Sequence, residues 1–221
     1  MIPLYPIRVV LVEDQCLVRA GFRQLLESGG EIQVVGEATS AEEALLLLQE
    51  IYPAVLILDV SLPGISGVEA LGRLRRMRPD LRILMLSMHE SDPLPEVALR
   101  SGASGYLSKR CAPEELVTAV RQIAAGRQYL SGSIAQRVAL ERMKSGRSGL
   151  NALSPRELEI FTLLGRGHSV KEIALALQLS PKTVHVHRAN LLRKLDVRTN
   201  ADLAQIALRN GLVPMDRPTD S

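Results

Sequence analysis

Cysteine is nearly absent from this 221-residue chain, which has only Cys16 and Cys111. Two thiols cannot build a disulfide framework or a structural zinc site. Also missing is any apolar run approaching the roughly 20 residues that a bilayer-spanning helix needs. The opening residues, MIPLYPIRVVLVED, lack the basic region followed by a cleavable apolar stretch that marks a secretory leader. These absences lead to the expectation of a soluble, cytoplasmic protein with no membrane partner. What the chain does have is apolar material: 46% of its residues are hydrophobic, enough for packed cores in one or two domains.

Charge is informative once divided. Residues 1–127 carry 13 Lys+Arg against 16 Asp+Glu, whereas 151–221 carry 10 against 7. Between Ser180 and Arg198 stand five cations (Lys182, Arg188, Arg193, Lys194 and Arg198) and one anion, Asp196. A short basic segment joined to a mildly acidic one suggests a tail that meets a polyanion, although a charge run is more often a solvated helix face.

The stretch IYPAVLILDVSLPGISG (51–67) organises the first part. Its apolar run, Ala54 to Leu58, ends in one carboxylate, Asp59, and is followed at once by Pro63 and Gly64. The pattern predicts a strand buried on both faces. Asp59 then lies at the C-terminal end, the edge where open parallel sheets bind ligands. Asp is as readily a turn or cap residue there, so this stretch alone leaves both readings open. Similar runs predict strands over 7–12, stopping at Glu13 and Asp14, and over 32–35. Two more run over 82–88, ending in Ser87, and over 105–108, leading into Lys109. Helical spacing fills 15–27, 40–50 (opened by a Ser40/Glu43 capping box), 66–77, 96–101 and 113–125. Such alternation specifies a doubly wound five-stranded parallel sheet with right-handed crossovers. One edge of that sheet gathers Glu13, Asp14, Asp59, Ser87 and Lys109.

Three carboxylates close in space raise each other's pKa unless a cation neutralises them. Mg²⁺ suits them: it prefers carboxylate oxygens, keeps several waters and is commonly shared with a phosphoryl group. In this reading Glu13 and Asp14 hold the metal and Asp59 is the nucleophile that becomes an aspartyl phosphate. The Lys109 ammonium and the Ser87 hydroxyl serve the transferring oxygens. Cys16 and Cys111 read as inert thiols, Met85 and Met88 as packing, and His89 as a loop-lining residue.

Glu13-Asp14, the segment Asp59-Val-Ser-Leu-Pro-Gly64, Ser87 and the run Gly102-Ala-Ser-Gly-Tyr-Leu-Ser-Lys109 together resemble a response-regulator receiver domain over residues 7–127. The resemblance implies a CheY/flavodoxin-like fold with Mg²⁺ held by Glu13, Asp14, Asp59 and the main-chain carbonyl of Ser61. It also implies that Ser87 reorients toward the phosphoryl group, that Tyr106 turns inward with it, and that Lys109 pairs with the phosphorylated site. Arg110 stands where many receivers have proline.

Residues 128–151 read as a partly helical linker. Ile134 and Val138 sit at helical spacing, followed by KSGRSGLN (144–151), a Gly, Ser and basic run suited to a flexible connector. From 152 to 213 the pattern is all helical, and 214–221 reads as a flexible tail. Ser154-Pro-Arg-Glu157 opens a helix to about Leu164. Ser169 caps a second helix to Leu177, Ser180-Pro181 a third to Leu195, and Ala201 to Arg209 forms a fourth, closed by Gly211. Two helices across a tight turn, the second basic, form a helix-turn-helix signature. In that second helix Val184, His187, Leu191 and Leu195 share a stripe and should pack inward. His185, Val186 and Ala189 would then face base edges, with Lys182, Thr183, Arg188, Arg193 and Lys194 on the DNA backbone. A basic amphipathic helix of a small bundle is the bland reading.

LSPRELEIFTLLGRGHSVKEIALALQLSPKTVHVHRANLLRKLDV closely resembles the LuxR-type DNA-binding domain. A receiver joined to it resembles the NarL/FixJ class of response regulators, and the stretch from Glu90 to Leu140 is similar to the GacA/UvrY global regulators. The resemblance implies a non-enzymatic transcriptional regulator, phosphorylated on Asp59 by a sensor histidine kinase, that binds double-stranded DNA as a homodimer through the last helix. Two alternatives stay open: an Mg²⁺-dependent phosphatase with an aspartyl intermediate, and a phosphate-independent DNA-binding protein with a vestigial receiver.

Overall fold

The computed structural model describes residues 5–88, 94–143, 149–210 and 212–213. His89, Gly211, residues 144–148 of the linker and the tail 214–221 lie outside the described residues. The chain divides into two compact units, Met1–Lys144 and Ser145–Ser221.

The first unit alternates β1 (Ile7–Val12), α1 (Cys16–Glu27), β2 (Ile32–Ala38), α2 (Ala41–Glu50), β3 (Val55–Asp59) and α3 (Gly67–Met77). It continues with β4 (Arg82–Ser87), α4 (Leu94–Arg100), β5 (Gly105–Ser108), α5 (Pro113–Ala124), β6 (Tyr129–Leu130) and α6 (Gly132–Met143). The sheet order is β2-β1-β3-β4-β5-β6, with every pair parallel. Val55 through Asp59 are all buried, as expected of a strand covered on both faces.

Several boundaries differ from the sequence expectations. Among the described residues the sheet has six strands, not five. Without Tyr129 and Leu130, the outer backbone groups of Gly105 and Tyr106 would be an open edge, and this short strand covers them. The approach is so close that a Cβ on Gly105 would stand 2.7 Å from the Tyr129 carbonyl oxygen. Helix α6 also belongs to the first unit and packs against α4, with Ile134 and Val138 buried. Residues 128–143 are therefore folded rather than linking. Strand β2 runs on to Ala38 because β1 keeps pairing it to Val12, past a register shift between Val9 and Val10. Helix α4 already includes Leu94 and Pro95, ahead of the expected Glu96. At α2 only half the expected capping box forms: Ser40 accepts from the Glu43 amide, while the Glu43 carboxylate turns back to Thr39.

The second unit comprises a 3₁₀ turn (Gly149–Ala152), α7 (Pro155–Gly165), α8 (Val170–Ala176), α9 (Pro181–Lys194) and α10 (Asn200–Arg209). Ser154/Glu157, Ser169/Glu172 and Thr199/Asp202 make reciprocal capping boxes. Ser180 caps α9 by accepting from the Thr183 amide. The turn between α8 and α9 carries Gln178 at φ +53°, in the left-handed region. No helix among the described residues is long and apolar enough to cross a membrane.

Candidate functional site

The strand order reverses between β1 and β3, and at such a switch point the connecting loops diverge and leave a crevice at the strand C-termini. Asp59 closes β3, Glu13 and Asp14 follow β1, Ser87 closes β4, and Lys109 follows β5. Ligand atoms of Glu13, Asp14 and Asp59 all lie within 4.8 Å of one another. Lys109 Nζ donates to Asp59 Oδ2 at 2.8 Å and is ion-paired to Glu13 Oε2 at 2.5 Å. The Ser61 amide donates to Asp59 Oδ1 at 3.1 Å. Glu13 and Asp59 are buried, whereas Asp14 is exposed and gives the cluster its solvent side. Helix α3 comes in so close that a Cβ on Gly67 would collide with the Asp59 carbonyl oxygen, so only glycine fits there.

Burial pushes the Glu13 carboxyl up, the Lys109 contact pulls it down and the Asp59 charge pushes it up again; the net direction is up. Burial pulls the Lys109 ammonium down, but the Asp59 and Glu13 carboxylates outweigh it and raise it overall. Lys109 therefore stays charged. Glu13 Oε2 is buried and, despite the ion pair, has no hydrogen bond of good geometry. A hard divalent cation fits that donor set: three carboxylates against one ammonium, with an oxygen lacking a directional partner.

Ser87 and Tyr106 are both fully buried, on the neighbouring strands β4 and β5. Beside Lys109 opens a mostly apolar cavity of 550 Å³, whose walls include Leu17, Val18, Phe22, Cys111 and Leu116. Cys111 is half-buried with its thiol pushed up by burial, and Cys16 is exposed. Met85 packs as expected, but Met88 is half-exposed at the rim of the same cavity.

On α9, Val184 and Leu191 are fully buried, while His187 and Leu195 are only half-buried. Lys182, His185, Val186, Ala189 and Arg193 are exposed. The other expected DNA contacts are engaged within the protein. Lys194 Nζ donates to Glu157 Oε2 at 2.6 Å, tying α9 to the capping box of α7. Arg188 Nε donates to Asn200 Oδ1 at 2.8 Å, and Thr183 shares a hydrogen bond with Ser180. The ion pair holds the Lys194 ammonium toward α7, a partner that spacing along one helix could not supply.

The sequence reading missed Arg19 and Glu37. Arg19 Nη1 donates to the Glu13 carbonyl at 2.7 Å and Arg19 Nε to Glu37 Oε2 at 3.0 Å. The one available signal was the position of Arg19 on α1, one turn beyond the acid pair.

Comparison with known proteins matches residues 9–121 to the family described as response regulator receiver domain, and residues 151–207 to the bacterial regulatory proteins of the luxR family. The chain is 41% identical to response regulator UvrY of Escherichia coli over 208 residues, covering 93% of this chain and 95% of that protein. To response regulator GacA of Pseudomonas aeruginosa it is 39% identical over 209 residues, covering 94% and 98%. RcsB of Salmonella enterica, solved bound to promoter rprA with the phosphomimetic BeF3−, superposes at a TM-score of 0.70 with 27% identity, covering 91% and 98%.

Proposed function

This chain belongs to the two-component response regulators with a LuxR-type DNA-binding domain, and from that premise we propose that Asp59 accepts a phosphoryl group whose arrival controls dimerisation and DNA binding. Members of this family are transcriptional regulators and not enzymes, so the phosphatase alternative is set aside. Receiver domains bind Mg²⁺ at their acidic phosphorylation site. Here Glu13, Asp14, Asp59 and the Ser61 carbonyl are the residues proposed to hold it. When bound, the ion supplies positive charge for the carboxylates and the transferring oxygens.

The observation that carries the reading is the Lys109 ammonium 2.8 Å from Asp59 Oδ2 with Glu13 and Asp14 alongside. A carboxylate oxygen of Asp59 attacks phosphorus on the kinase phosphohistidine. The new O–P bond forms as the N–P bond breaks, and the imidazole nitrogen keeps the electron pair. Lys109 and the Ser87 hydroxyl then face the added negative charge. The sensor kinase approaches along the apolar cavity beside Lys109, which offers a helix a surface next to the acceptor.

Residues 1–127 are proposed as the receiver and 152–213 as the output domain, with α10 as the dimer contact. In the output domain Lys182, Thr183, Arg188 and Arg193 meet phosphates while His185, Val186 and Ala189 read bases. A buried Tyr106 and Ser87 couple the events by population shift: phosphate favours whichever conformation gives it better contacts. Asp59→Asn should abolish labelling by acetyl phosphate in the presence of Mg²⁺. Labelling retained at the wild-type level would refute the assignment.

A further inference from the structure

Two acids that share one cation from a short turn need that turn held still. The Glu13 amide donates to the Ala38 carbonyl at 3.0 Å, fixing one side of the residue to β2. The other side is fixed by a side chain. The Glu13 carbonyl accepts from Arg19 Nη1 at 2.7 Å, and Arg19 Nε is anchored on Glu37 Oε2 at 3.0 Å. The Arg19 side chain is only 16% exposed, so the guanidinium is a fixed two-pronged brace between α1, β2 and the Glu13-Asp14 peptide. Arg23 binds the same Glu37 from outside, half-exposed, with no hydrogen bond to the turn among the described contacts.

We propose that Arg19 is a positioning residue for the metal-binding acid pair: by holding the Glu13 carbonyl it fixes the peptide that orients Asp14 relative to Asp59. The proposal rests on the Mg²⁺ reading of the Asp59 site and extends it to a residue outside the acidic cluster. Charge and geometry make opposite demands on Arg19. As a cation near a divalent-ion site it repels the metal, so its removal by charge alone would tighten Mg²⁺ binding. As a brace it lowers the cost of presenting both carboxylates, so its removal weakens binding. Outer-shell partners of metal ligands are commonly worth 10–100-fold in affinity, and a bond to a ligand's main chain belongs at about tenfold, the lower end.

The test is a Mg²⁺ titration of the full chain followed by the amide NMR shifts of Asp59 and Ser61, with urea midpoints recorded for each variant. Arg19→Gln should weaken Mg²⁺ binding by about tenfold. Arg19→Lys should show an intermediate loss, because an ammonium can satisfy one of the two prongs but not both. Arg23→Gln should bind Mg²⁺ like the wild type. Wild-type or tighter affinity in Arg19→Gln overturns the brace. Should that variant not fold, Arg19→Lys takes its place: it keeps the charge and gives up one prong, so charge alone predicts no change in affinity. Weaker Mg²⁺ binding there supports the proposal, and unchanged binding overturns it. The parent reading fails separately, and visibly, if the wild-type chain gives no Mg²⁺-dependent shift at Asp59.

Discussion

At the scale of single residues, Lys109 decides how three carboxylates coexist. Its ammonium is almost fully buried between Asp59 and Glu13, and taking away one partner of a buried pair leaves an uncompensated charge. Lys109→Met should therefore cost about 3 kcal/mol of stability in metal-free buffer. Added Mg²⁺ should shrink that deficit, because the acid cluster then binds the ion more tightly and linkage favours the folded state. Urea midpoints in EDTA and in Mg²⁺ provide the measurement, and an equal deficit in both buffers would separate Lys109 from the metal site. Asp59, Glu13 and Lys109 were legible in the sequence because each terminates or follows an apolar run, and strand ends converge in a parallel sheet. Arg19 was not, since its partners are a backbone carbonyl and a carboxylate 18 residues away on β2. The ion pair of Lys194 was illegible for a related reason. Helical spacing gave its face correctly enough, but the Glu157 carboxylate that captures it comes from α7, 37 residues earlier.

Among the elements, β6 and α6 change what the receiver is. Strand β6 is a Tyr-Leu pair too short to carry any periodicity, and it is a strand only because β5 offers an edge. Sequence reasoning found the long buried strands and the capped helices for the opposite reason: their signals are local. Leu130 pairs with Tyr106, so the strand bearing the expected switch residue is covered by the segment that leads out of the unit. A chain cut after residue 127 would expose that edge together with the hydrophobic surface that Ile134 and Val138 occupy. Fragment 1–127 should be less stable than fragment 1–144 by several kcal/mol. Losing a buried large aliphatic residue such as Ile134 alone costs about 2–5 kcal/mol. Fragment 1–127 should also self-associate through the open strand. Chemical denaturation and light scattering of the two fragments test this, and matching behaviour would return 128–143 to the status of a linker.

For the whole molecule, the division of charge implies a salt dependence that reports on assembly. If each copy places Lys182, Arg188 and Arg193 on phosphates, a dimer makes about six such contacts, and log Kd should change with log salt at a slope of about 5. A single copy making three contacts should show a slope of about 2.7. Phosphorylated wild type and Asp59→Asn, titrated on the same two-fold DNA site, should then differ by close to a factor of two in slope as well as in affinity. Lys182→Ala should lower the dimer slope by about two, one contact per copy. Val186→Ala, which removes an uncharged exposed side chain of α9, should weaken binding to the specific site and leave the slope where it was. Equal slopes for the phosphorylated and unphosphorylatable proteins would mean that phosphorylation acts on DNA affinity without changing how many copies bind, and the dimerisation step would have to be abandoned.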